Sequence, residues 1–313
     1  MEKQKIAIID LGTNTFHLLI VAYDENDKHR VLHRERHAVM VGKGGINQGF
    51  ISEDAQQRAL DALAHFRDVI NNYQVDHVAA TATSAFRNAE NGQHLADRIY
   101  QQTDISINII SGDREASYIF MGVKEAMPLQ GRSLIMDIGG GSVEFIICDA
   151  ERILWKESFE IGAQRLLDQF KILDPISSQN LEELTDFFDR KLSRLTDAVT
   201  QFKPTTLVGA SGTFDTLSDI YVIQENITTT PHASELPLSY TFFQGILSEL
   251  TQKNREGRLT IPGMAEMRVD MIVVASWLIQ FVLDKYYIRD IRISAYALKE
   301  GLLSSLEERL FVD

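Results

Sequence analysis

Apolar segments separated by short polar turns follow one another along the first part of the chain, which is the pattern of an antiparallel β-meander. An apolar run at 6–9 ends at Asp10, turn-forming residues occupy 12–15, and a second apolar run covers 16–23. A third strand is predicted at about 30–37, after a polar turn. The chain therefore begins with three adjacent strands, the first of which ends in a carboxylate.

The next segment alternates between helical and β-rich patterns. Ser52 precedes acidic residues and then apolar positions at helical spacing, so we predict a helix with Ser52 as its N-cap. Short β-rich runs at 75–81 and 105–110 are each followed by a helical pattern. The second of these helices covers about 113–127 and stops before Pro128. Such alternation indicates α/β architecture.

The strand pattern then starts again in the second half of the chain. Strands are predicted at 133–138, 143–148 and 152–159, and the turn between the first two is Gly-Gly-Gly-Ser at 139–142. A further strand at 206–209 leads into a helix. The second half therefore opens with the same meander as the first.

The rest of the chain is mostly helical in pattern. A long helix is predicted near 179–202, and 271–283 is predicted to be a buried helix because a membrane span needs about 20 apolar residues. The segment 226–237 has little periodicity and is predicted to be a mobile loop. A strand at 291–294 and a final helix from about 296 complete the prediction.

An internal repeat with an offset of 127 residues relates the two meanders. The segment 8–20 aligns with 135–147, and both copies contain a strand, an Asp, a glycine-containing turn, a hydroxyl residue and a second strand. We therefore predict two domains, 1–127 and 128–313, with a cleft between the matching hairpins. A last helix, from about 297, that packs back on the first domain is compatible with this division.

The chemistry of the two turns is typical of phosphate binding. Glycines let backbone N–H groups approach an anion, and hydroxyls donate further hydrogen bonds. A single turn of this kind is common in β-hairpins and indicates no function by itself. Two such turns at matching positions indicate a cleft that binds a polyphosphate from both sides. The candidate phosphate-binding residues in the turns are Gly12, Thr13, Asn14, Thr15, Gly139, Gly140, Gly141 and Ser142. Ser211, Gly212 and Thr213, which open a helix after a strand, add a third candidate anion site.

Composition and charge narrow the class of function. The chain has 313 residues, 44% of them hydrophobic, and a formal net charge of −13. The acidic balance argues against nucleic-acid binding, and no segment is long enough for a membrane span. Cys148 is the single cysteine, and no Cys/His spacing of the zinc type is present, so we expect a reducing, cytoplasmic location. The sequence leaves a homodimer open.

The paired turns resemble those of the actin, Hsp70 and sugar-kinase superfamily, and several further motifs are similar to one family within it. That family is the exopolyphosphatase and guanosine pentaphosphate phosphohydrolase (Ppx/GppA) family. The motifs are IDLGTNTFH at 9–17, ATSAFRNA at 82–89, SGDREA at 111–116, DIGGGSVE at 137–144 and GASGT at 209–213. Shorter matches occur at 162–166, 262–270 and 300–303, so the resemblance spans the chain. It implies two actin-like (ribonuclease H-like) domains, each with a mixed sheet, and an interdomain cleft.

The resemblance also implies a role for single residues. Glu115 corresponds to the catalytic carboxylate that activates water for attack on a terminal phosphorus. Asp137 and Glu144 correspond to positions tied to a divalent cation, and Asp10 lies at the equivalent place in the first hairpin. Arg87 corresponds to an arginine that faces the phosphate chain. The implied cofactor is Mg²⁺ or another divalent cation.

The residues themselves leave other roles open. Glu115 in the first turn of a helix is also favoured by the helix dipole, and Arg87 is placed to pair with Glu90. Met40 departs from the family pattern, which often has an arginine there, and Lys43 and Arg114 are then the candidates for that phosphate contact.

The resemblance implies an exopolyphosphatase that releases orthophosphate from the end of inorganic polyphosphate. An alternative within the family is a phosphohydrolase that acts on guanosine pentaphosphate. An alternative of another class is a non-catalytic sensor that binds polyphosphate or an alarmone. A kinase of the same superfamily is a further alternative, although the SGDREA segment does not look like a kinase base region.

Overall fold

The computed structural model of the chain describes residues 4–25, 28–230 and 232–311. The strands are β1 Gln4–Leu11, β2 Thr15–Tyr23, β3 His29–Ala38, β4 His77–Ala82, β5 Ile107–Ile109, β6 Ser133–Ile138, β7 Val143–Cys148, β8 Ile153–Phe159, β9 Thr206–Ala210, β10 Glu235–Leu236 and β11 Asp290–Ser294. The helices are α1 Glu53–Tyr73, α2 Ser84–Asn88, α3 Gly92–Thr103, α4 Gly112–Ala126, α5 Ala163–Phe170, α6 Ser178–Lys191, α7 Ser193–Phe202, α8 Gly212–Gln224, α9 Tyr240–Gln252, α10 Arg255–Leu259, α11 Ile272–Lys285 and α12 Leu298–Phe311. Short 3₁₀ turns cover Ile46–Gln48 and Glu266–Arg268.

Two mixed sheets of the same topology organise the molecule. The first has the strand order β3-β2-β1-β4-β5, and the second has the order β8-β7-β6-β9-β11-β10. In each sheet the first strand is antiparallel to the second and parallel to the fourth, so β1, β2 and β4 correspond to β6, β7 and β9. This confirms the predicted fold class of two mixed α/β sheets. The domain boundary at 127/128 stays a prediction.

The predicted repeat holds in the hydrogen-bond register of the two hairpins. Asp10 lies opposite His17 in the first hairpin, and Asp137 lies opposite Glu144 in the second. Each turn is closed by the same backbone bond, from Gly12 N to Thr15 O at 3.1 Å and from Gly139 N to Ser142 O at 3.0 Å. Both carboxylates therefore lie at the carboxyl end of the first strand of their sheet, which is where α/β proteins usually place a ligand.

Local signals explain where the helices begin. Ser52 is the N-cap of α1 and its hydroxyl accepts a hydrogen bond from Ala55 N, as predicted. Ser111 caps α4 in the same way through Arg114 N at 3.2 Å. The cap fixes the first turn of α4, which contains Glu115.

The buried apolar side chains form three clusters. One cluster lies between the first sheet and α1 and α3, and another lies between the second sheet and helices including α6, α9 and α11. The third lies between the two sheets, where Ile8 of β1 and Ile135 of β6 pack with Ile119 of α4 and Leu302 of α12. Burial of this apolar surface is the main force that holds the two sheets together.

Helices α4 and α12 cross at two glycines. A Cβ on Gly301 would overlap the carbonyl oxygen of Tyr118, and a Cβ on Gly122 would overlap that of Ala297. The backbones therefore approach more closely than any side chain would allow. Through this contact the last helix of the chain packs against α4 and β1 of the first sheet.

Two predictions about the second half were wrong. The predicted helix at 179–202 is two helices, because Leu192 has ψ of 21° and ends α6 before α7 begins. The buried positions Leu184, Phe188, Leu195 and Val199 continue at helical spacing across that break, which hides it in the sequence. The predicted loop at 226–237 contains β10, which pairs with β11.

Within the described ranges, no helix combines the length and the apolar character that a membrane crossing requires.

Candidate active site

A cavity of about 130 Å³ lies at the carboxyl ends of β1 and β6, between the two hairpin turns. This volume holds several water molecules. The predicted site residues that line the cavity are Asp10, Gly12, Thr13, Asn14, Thr15, Glu115, Asp137, Gly139, Gly140, Gly141, Ser142, Glu144, Ser211 and Gly212. Residues far apart in the sequence are therefore brought together by the repeat.

Glu115 enters the cavity from the first turn of α4 and is 7% exposed. Its Oε2 accepts a hydrogen bond from Arg87 Nη1 at 2.8 Å, and the same guanidinium nitrogen donates to Ile110 O at 3.1 Å. Burial and the neighbouring Glu144 raise the pKa of Glu115 well above its usual value, and Arg87 opposes them. The alternative in which Arg87 pairs with Glu90 is not the observed arrangement.

Glu144 lies on β7 and is held by two hydroxyls. Its Oε1 accepts from Ser142 Oγ at 2.7 Å and from Ser158 Oγ at 2.6 Å. The side chain points to the same face of the strand as Ser142, as the two-residue period predicts. Burial raises the pKa of Glu144 to about 7, and Asp137 adds to the effect.

Asp10 and Asp137 occupy the ends of β1 and β6. Asp10 Oδ1 is buried, and no group in the described part of the chain donates a hydrogen bond to it. Burial raises the pKa of Asp10 to about 7, Lys299 lowers it, and Asp137 and Glu300 raise it further. Burial likewise raises the pKa of Asp137, although Ser211 and Arg268 oppose the shift.

These buried carboxylates fit a divalent cation. Several acids that share one cavity disfavour ionisation together, and a buried charge is retained in proteins when it is paired or ligates a metal. Asp10 Oδ1 is an oxygen that the protein leaves without a donor, and oxygen ligands are those that Mg²⁺ prefers. Asp10, Asp137 and Glu144 are therefore the residues that would hold the ion.

Cationic side chains that sequence reasoning did not select also face the cavity. Arg36 on β3, Arg268 after the second 3₁₀ turn and Lys299 on α12 are among its lining residues. Burial lowers the pKa of His17 to about 3, and Lys299 and Arg268 contribute, so this cavity residue is a neutral ring. The cavity therefore contains both cationic side chains that could bind an anion and carboxylates that could bind a metal ion.

Asp215, in the first turn of α8, is a further lining residue that was missed. Burial raises its pKa to about 6, while Lys299 and Arg268 lower it. The only sequence signal for Arg268 was its place in the matched stretch 262–270, and Asp215 had no separate signal.

The two glycine turns touch each other. The Asn14 amide lies against Gly140, where an added Cβ would come within 2.6 Å of Nδ2, and that nitrogen contacts Met271 Sδ at 2.7 Å. Gly141 lies against Thr13 in the same manner, with 2.7 Å between the position of a Cβ and Oγ1. The small residues of the second turn are therefore required for the first turn to approach.

Ser211, the N-cap of α8, has a left-handed φ of 70° that non-glycine residues rarely adopt. Its hydroxyl donates to Ile138 O at 3.3 Å. A Cβ on the next residue, Gly212, would overlap the guanidinium of Arg268. This turn thus brings backbone and a cation to the cavity edge. Thr213 is buried and does not line the cavity.

Glu160 connects Arg87 to a further network of polar side chains. Glu160 accepts from Arg87 Nη2 at 3.4 Å, from Arg165 Nη2 at 2.9 Å and from Ser84 Oγ at 2.8 Å. Arg165 also donates to Gly141 O at 3.0 Å, which ties the network to the second turn. Arg165 belongs to the matched stretch 162–166, whereas Glu160 had no signal in the sequence.

Arg87 itself borders a shallow recess outside the cavity, together with Gly112, Lys156, Ser158 and Glu160. It reaches the cavity through its contact with Glu115. The described structure therefore places it beside the predicted catalytic carboxylate rather than among the cavity-lining groups.

Lys43 and Arg114, the two candidates for the phosphate contact that the family pattern places at position 40, are not in the cavity. Neither side chain lines the cavity, and Arg114 Nε donates to Tyr118 OH at 2.9 Å. Met40 instead supports the first turn, because its N–H donates to Asn14 O at 2.9 Å. The cavity cations are Arg36, Arg268 and Lys299.

The fold and the paired glycine turns define a mixed α/β protein built on two sheets with matching hairpins. A model of the Ppx/GppA phosphatase family matches residues 20–310, and the chain belongs to this family.

The similarity to other proteins extends over nearly the whole chain. It is 30% identical to a putative exopolyphosphatase of Haemophilus influenzae, over 99% of this chain and 93% of that protein. It is 27% identical to a guanosine-5'-triphosphate,3'-diphosphate pyrophosphatase of Pseudoalteromonas atlantica, over 97% of this chain but 59% of that protein. The crystal structure of an exopolyphosphatase from Cytophaga hutchinsonii is similar with a TM-score of 0.94 and 45% identity, over 98% of both chains.

Proposed function

We propose that this protein is an exopolyphosphatase that hydrolyses the terminal phosphoanhydride bond of inorganic polyphosphate. The observation that carries the proposal is the position of Glu115, buried at the edge of a cavity that both glycine turns line. The similarity to the Cytophaga hutchinsonii exopolyphosphatase supports it, at 45% identity over nearly the full length of both chains.

Phosphoryl transfer is catalysed mainly by positioning and by electrostatic stabilisation. Backbone N–H groups of the glycine turns, with the hydroxyl of Thr13, would hold the terminal phosphate. Arg268 and Lys299 would neutralise charge on the phosphate chain. The substrate would thus be fixed with its terminal phosphorus beside Glu115.

Glu115 is the general base of this proposal. Arg87 occupies Oε2, so we assign Oε1 to the attacking water. The carboxylate accepts a proton from water, the water oxygen bonds to the terminal phosphorus, and the bridging oxygen leaves with the shortened chain. A phosphate leaving group is already a weak base, so no separate acid is required.

A divalent cation, which we propose to be Mg²⁺, belongs to the same site. Asp10, Asp137 and Glu144 would hold it, with Asp10 Oδ1 as the oxygen that lacks a protein donor. When bound, the cation neutralises both the carboxylates and the phosphate oxygens. It would thereby lower the pKa of Glu115 and favour the ionised base.

A second candidate reaction is the removal of the terminal 5'-phosphate of guanosine pentaphosphate. The observation that favours it is the similarity to the pyrophosphatase of Pseudoalteromonas atlantica, whose name describes such a nucleotide. The chemistry at phosphorus is the same in both reactions. A non-catalytic sensor is disfavoured by the intact pair of Glu115 and Arg87.

We further propose that the protein acts in a reducing compartment, the cytoplasm. The sequence has one cysteine, Cys148, which is free and buried, so the chain carries no internal disulfide of the kind that oxidising compartments favour.

The test is the release of orthophosphate with Mg²⁺ from three substrates: polyphosphate, polyphosphate capped at both ends, and guanosine pentaphosphate. We expect release from the uncapped chain, with the chain shortening from its ends, and none from the capped chain. Faster turnover of the nucleotide would instead support the second reaction. Equal release from capped and uncapped chains would contradict attack at the terminal phosphate.

A further inference from the structure

A cluster of histidines around one carboxylate lies between β3 and α1, away from the active-site cavity. Glu35 and His37 project from the same face of β3, and His65 meets them from α1. His33 lies on that face too, because residues 33, 35 and 37 alternate along the strand. We call Glu35, His37 and His65 the β3–α1 cluster.

The atoms of the β3–α1 cluster have the spacing of metal ligands. One potential ligand atom from each of the three residues lies within 4.8 Å of the other two. Glu35 Oε2 is 3.2 Å from His65 Nε2 and 3.7 Å from His37 Nε2. Two ligands of a tetrahedral ion with bonds of about 2.0–2.1 Å are roughly 3.3 Å apart, so little movement is needed.

Two buried polar atoms of this region lack a hydrogen-bond partner among the described residues. Glu35 Oε1 and His33 Nε2 are buried, and neither makes a hydrogen bond within the described residues. His33 Nε2 is 3.5 Å from Glu35 Oε2, the distance of an ion pair rather than of a good hydrogen bond. Buried polar atoms are normally satisfied, so unsatisfied atoms beside a ready ligand set point to a missing partner.

We propose that the β3–α1 cluster binds a transition-metal cation of the zinc type, with Glu35, His37 and His65 as ligands. Two imidazoles and one carboxylate are a donor set that suits Zn²⁺, whereas Mg²⁺ prefers oxygen ligands alone. His33 would take the fourth position or support Glu35 from behind. No Cys/His spacing of the zinc type is present in the sequence, because the third ligand of this site, His65, comes from a different element.

The site is separate from the active-site cavity. Arg36 lies between Glu35 and His37 on β3, so its side chain points to the opposite face, where it lines the cavity. The proposal therefore does not depend on the proposed hydrolase activity.

A metal here would join the edge of the first sheet to its covering helix. β3 is the outermost strand of that sheet, and Glu35 already meets His65 of α1. An ion bound to the folded chain alone stabilises it by mass action. The expected effect of Zn²⁺ is thus a higher melting temperature even when the active site is saturated with Mg²⁺.

The test is titration of the purified chain with Zn²⁺, and separately with Co²⁺, in the presence of excess Mg²⁺. We expect one ion per chain by calorimetry and Co²⁺ visible absorption typical of nitrogen ligands. His65→Gln should weaken binding at least about tenfold and abolish the Zn²⁺-dependent rise in melting temperature. His94→Gln, which changes an exposed histidine outside the cluster, is the matched control and should bind as the wild type does.

Two further variants make the outcome unambiguous. Glu35→Gln should also weaken binding, whereas Asp137→Asn should leave it unchanged because that residue lines the other site. The melting temperature of His65→Gln in EDTA should stay close to that of the wild type, because a partly exposed pair contributes little to stability; this would show that the variant folds. Absence of binding in the wild type, binding unaffected by His65→Gln, or binding lost in Asp137→Asn would each overturn the proposal.

Discussion

Arg87 Nη1 donates a hydrogen bond to Glu115 Oε2 at 2.8 Å, which joins the end of α2 to the first turn of α4. Both side chains are largely buried, so the charges interact strongly. Glu160 holds the other end of the guanidinium. This pair orients the carboxylate that we propose to activate water.

Replacing Arg87 should change the pH dependence of the reaction as well as its rate. Arg87 lowers the pKa of Glu115, so Arg87→Ala should raise it further and leave less ionised base near neutral pH. We expect kcat/KM to fall about a hundredfold and the acidic limb of its pH profile to move to higher pH. Arg152→Lys, at an exposed turn, is the control. An acidic limb that stays in place in Arg87→Ala would argue against Glu115 as the base.

The approach of the two glycine turns predicts a specific steric effect. A Cβ on Gly140 would meet the Asn14 amide, whereas a Cβ on Gly245 meets nothing within 4 Å. We expect Gly140→Ala to lower kcat/KM by about a hundredfold, because phosphate-binding groups are displaced. Gly245→Ala lies within α9 and should keep full activity with equal or higher stability. Equal activity of the two variants would contradict the proposed role of the turns.

The buried carboxylates should make the cation-free protein less stable as pH rises. Burial raises the pKa of Asp10 and of Glu144 to about 7, well above the values of about 4 in an unfolded chain. Between these values the folded chain binds more protons than the unfolded chain, so the free energy of unfolding falls with increasing pH. We expect a lower melting temperature in EDTA at about pH 8 than at about pH 5 from these groups.

Added Mg²⁺ should reverse that loss. The rise in melting temperature on adding Mg²⁺ should be larger at the higher pH, where both carboxylates are ionised. Asp10→Asn should be more stable than the wild type in EDTA at that pH and should respond less to Mg²⁺. Asp186→Asn, exposed on α6, should behave as the wild type. A Mg²⁺ response that is the same at both pH values would count against a cation at these residues.

The crossing of α4 and α12 predicts a purely structural effect. A methyl group on Gly301 would overlap the backbone of Tyr118, which cannot move without shifting α4. We expect Gly301→Ala to lower the free energy of unfolding by about 1–3 kcal/mol, as measured by denaturant unfolding. Gly245→Ala is again the matched control, and equal stability of both variants would mean that the helices separate without cost.

The sequence was most informative where the chemistry is local. The hairpin of Asp10 and that of Asp137 could be predicted because an apolar strand, an Asp and a glycine turn are neighbours along the chain. The helix break at Leu192 could not, because buried positions continue at helical spacing on both sides of it. The strand β10 was missed because its pairing partner, β11, is distant in the sequence.

The residues of the candidate site likewise fall into those that a local pattern identifies and those that only the folded structure brings to the cavity. Asp137 lies near the end of an apolar strand and Ser142 lies in the glycine turn that follows it, so local pattern identifies both. Arg36 and Lys299 reach the cavity from elements whose packing no local pattern specifies. The same reasoning explains the β3–α1 cluster, since only folding brings His65 to Glu35.

The most direct test of the central claim is orthophosphate release from polyphosphate by Glu115→Gln. Glutamine keeps the shape of the side chain but cannot accept the proton, so kcat should fall about 10²–10⁴-fold while polyphosphate still binds. Glu125→Gln, exposed near the end of the same helix, should retain wild-type turnover. Turnover by Glu115→Gln within a few fold of the wild type would contradict the assignment of Glu115 as the base and, with it, the proposed mechanism.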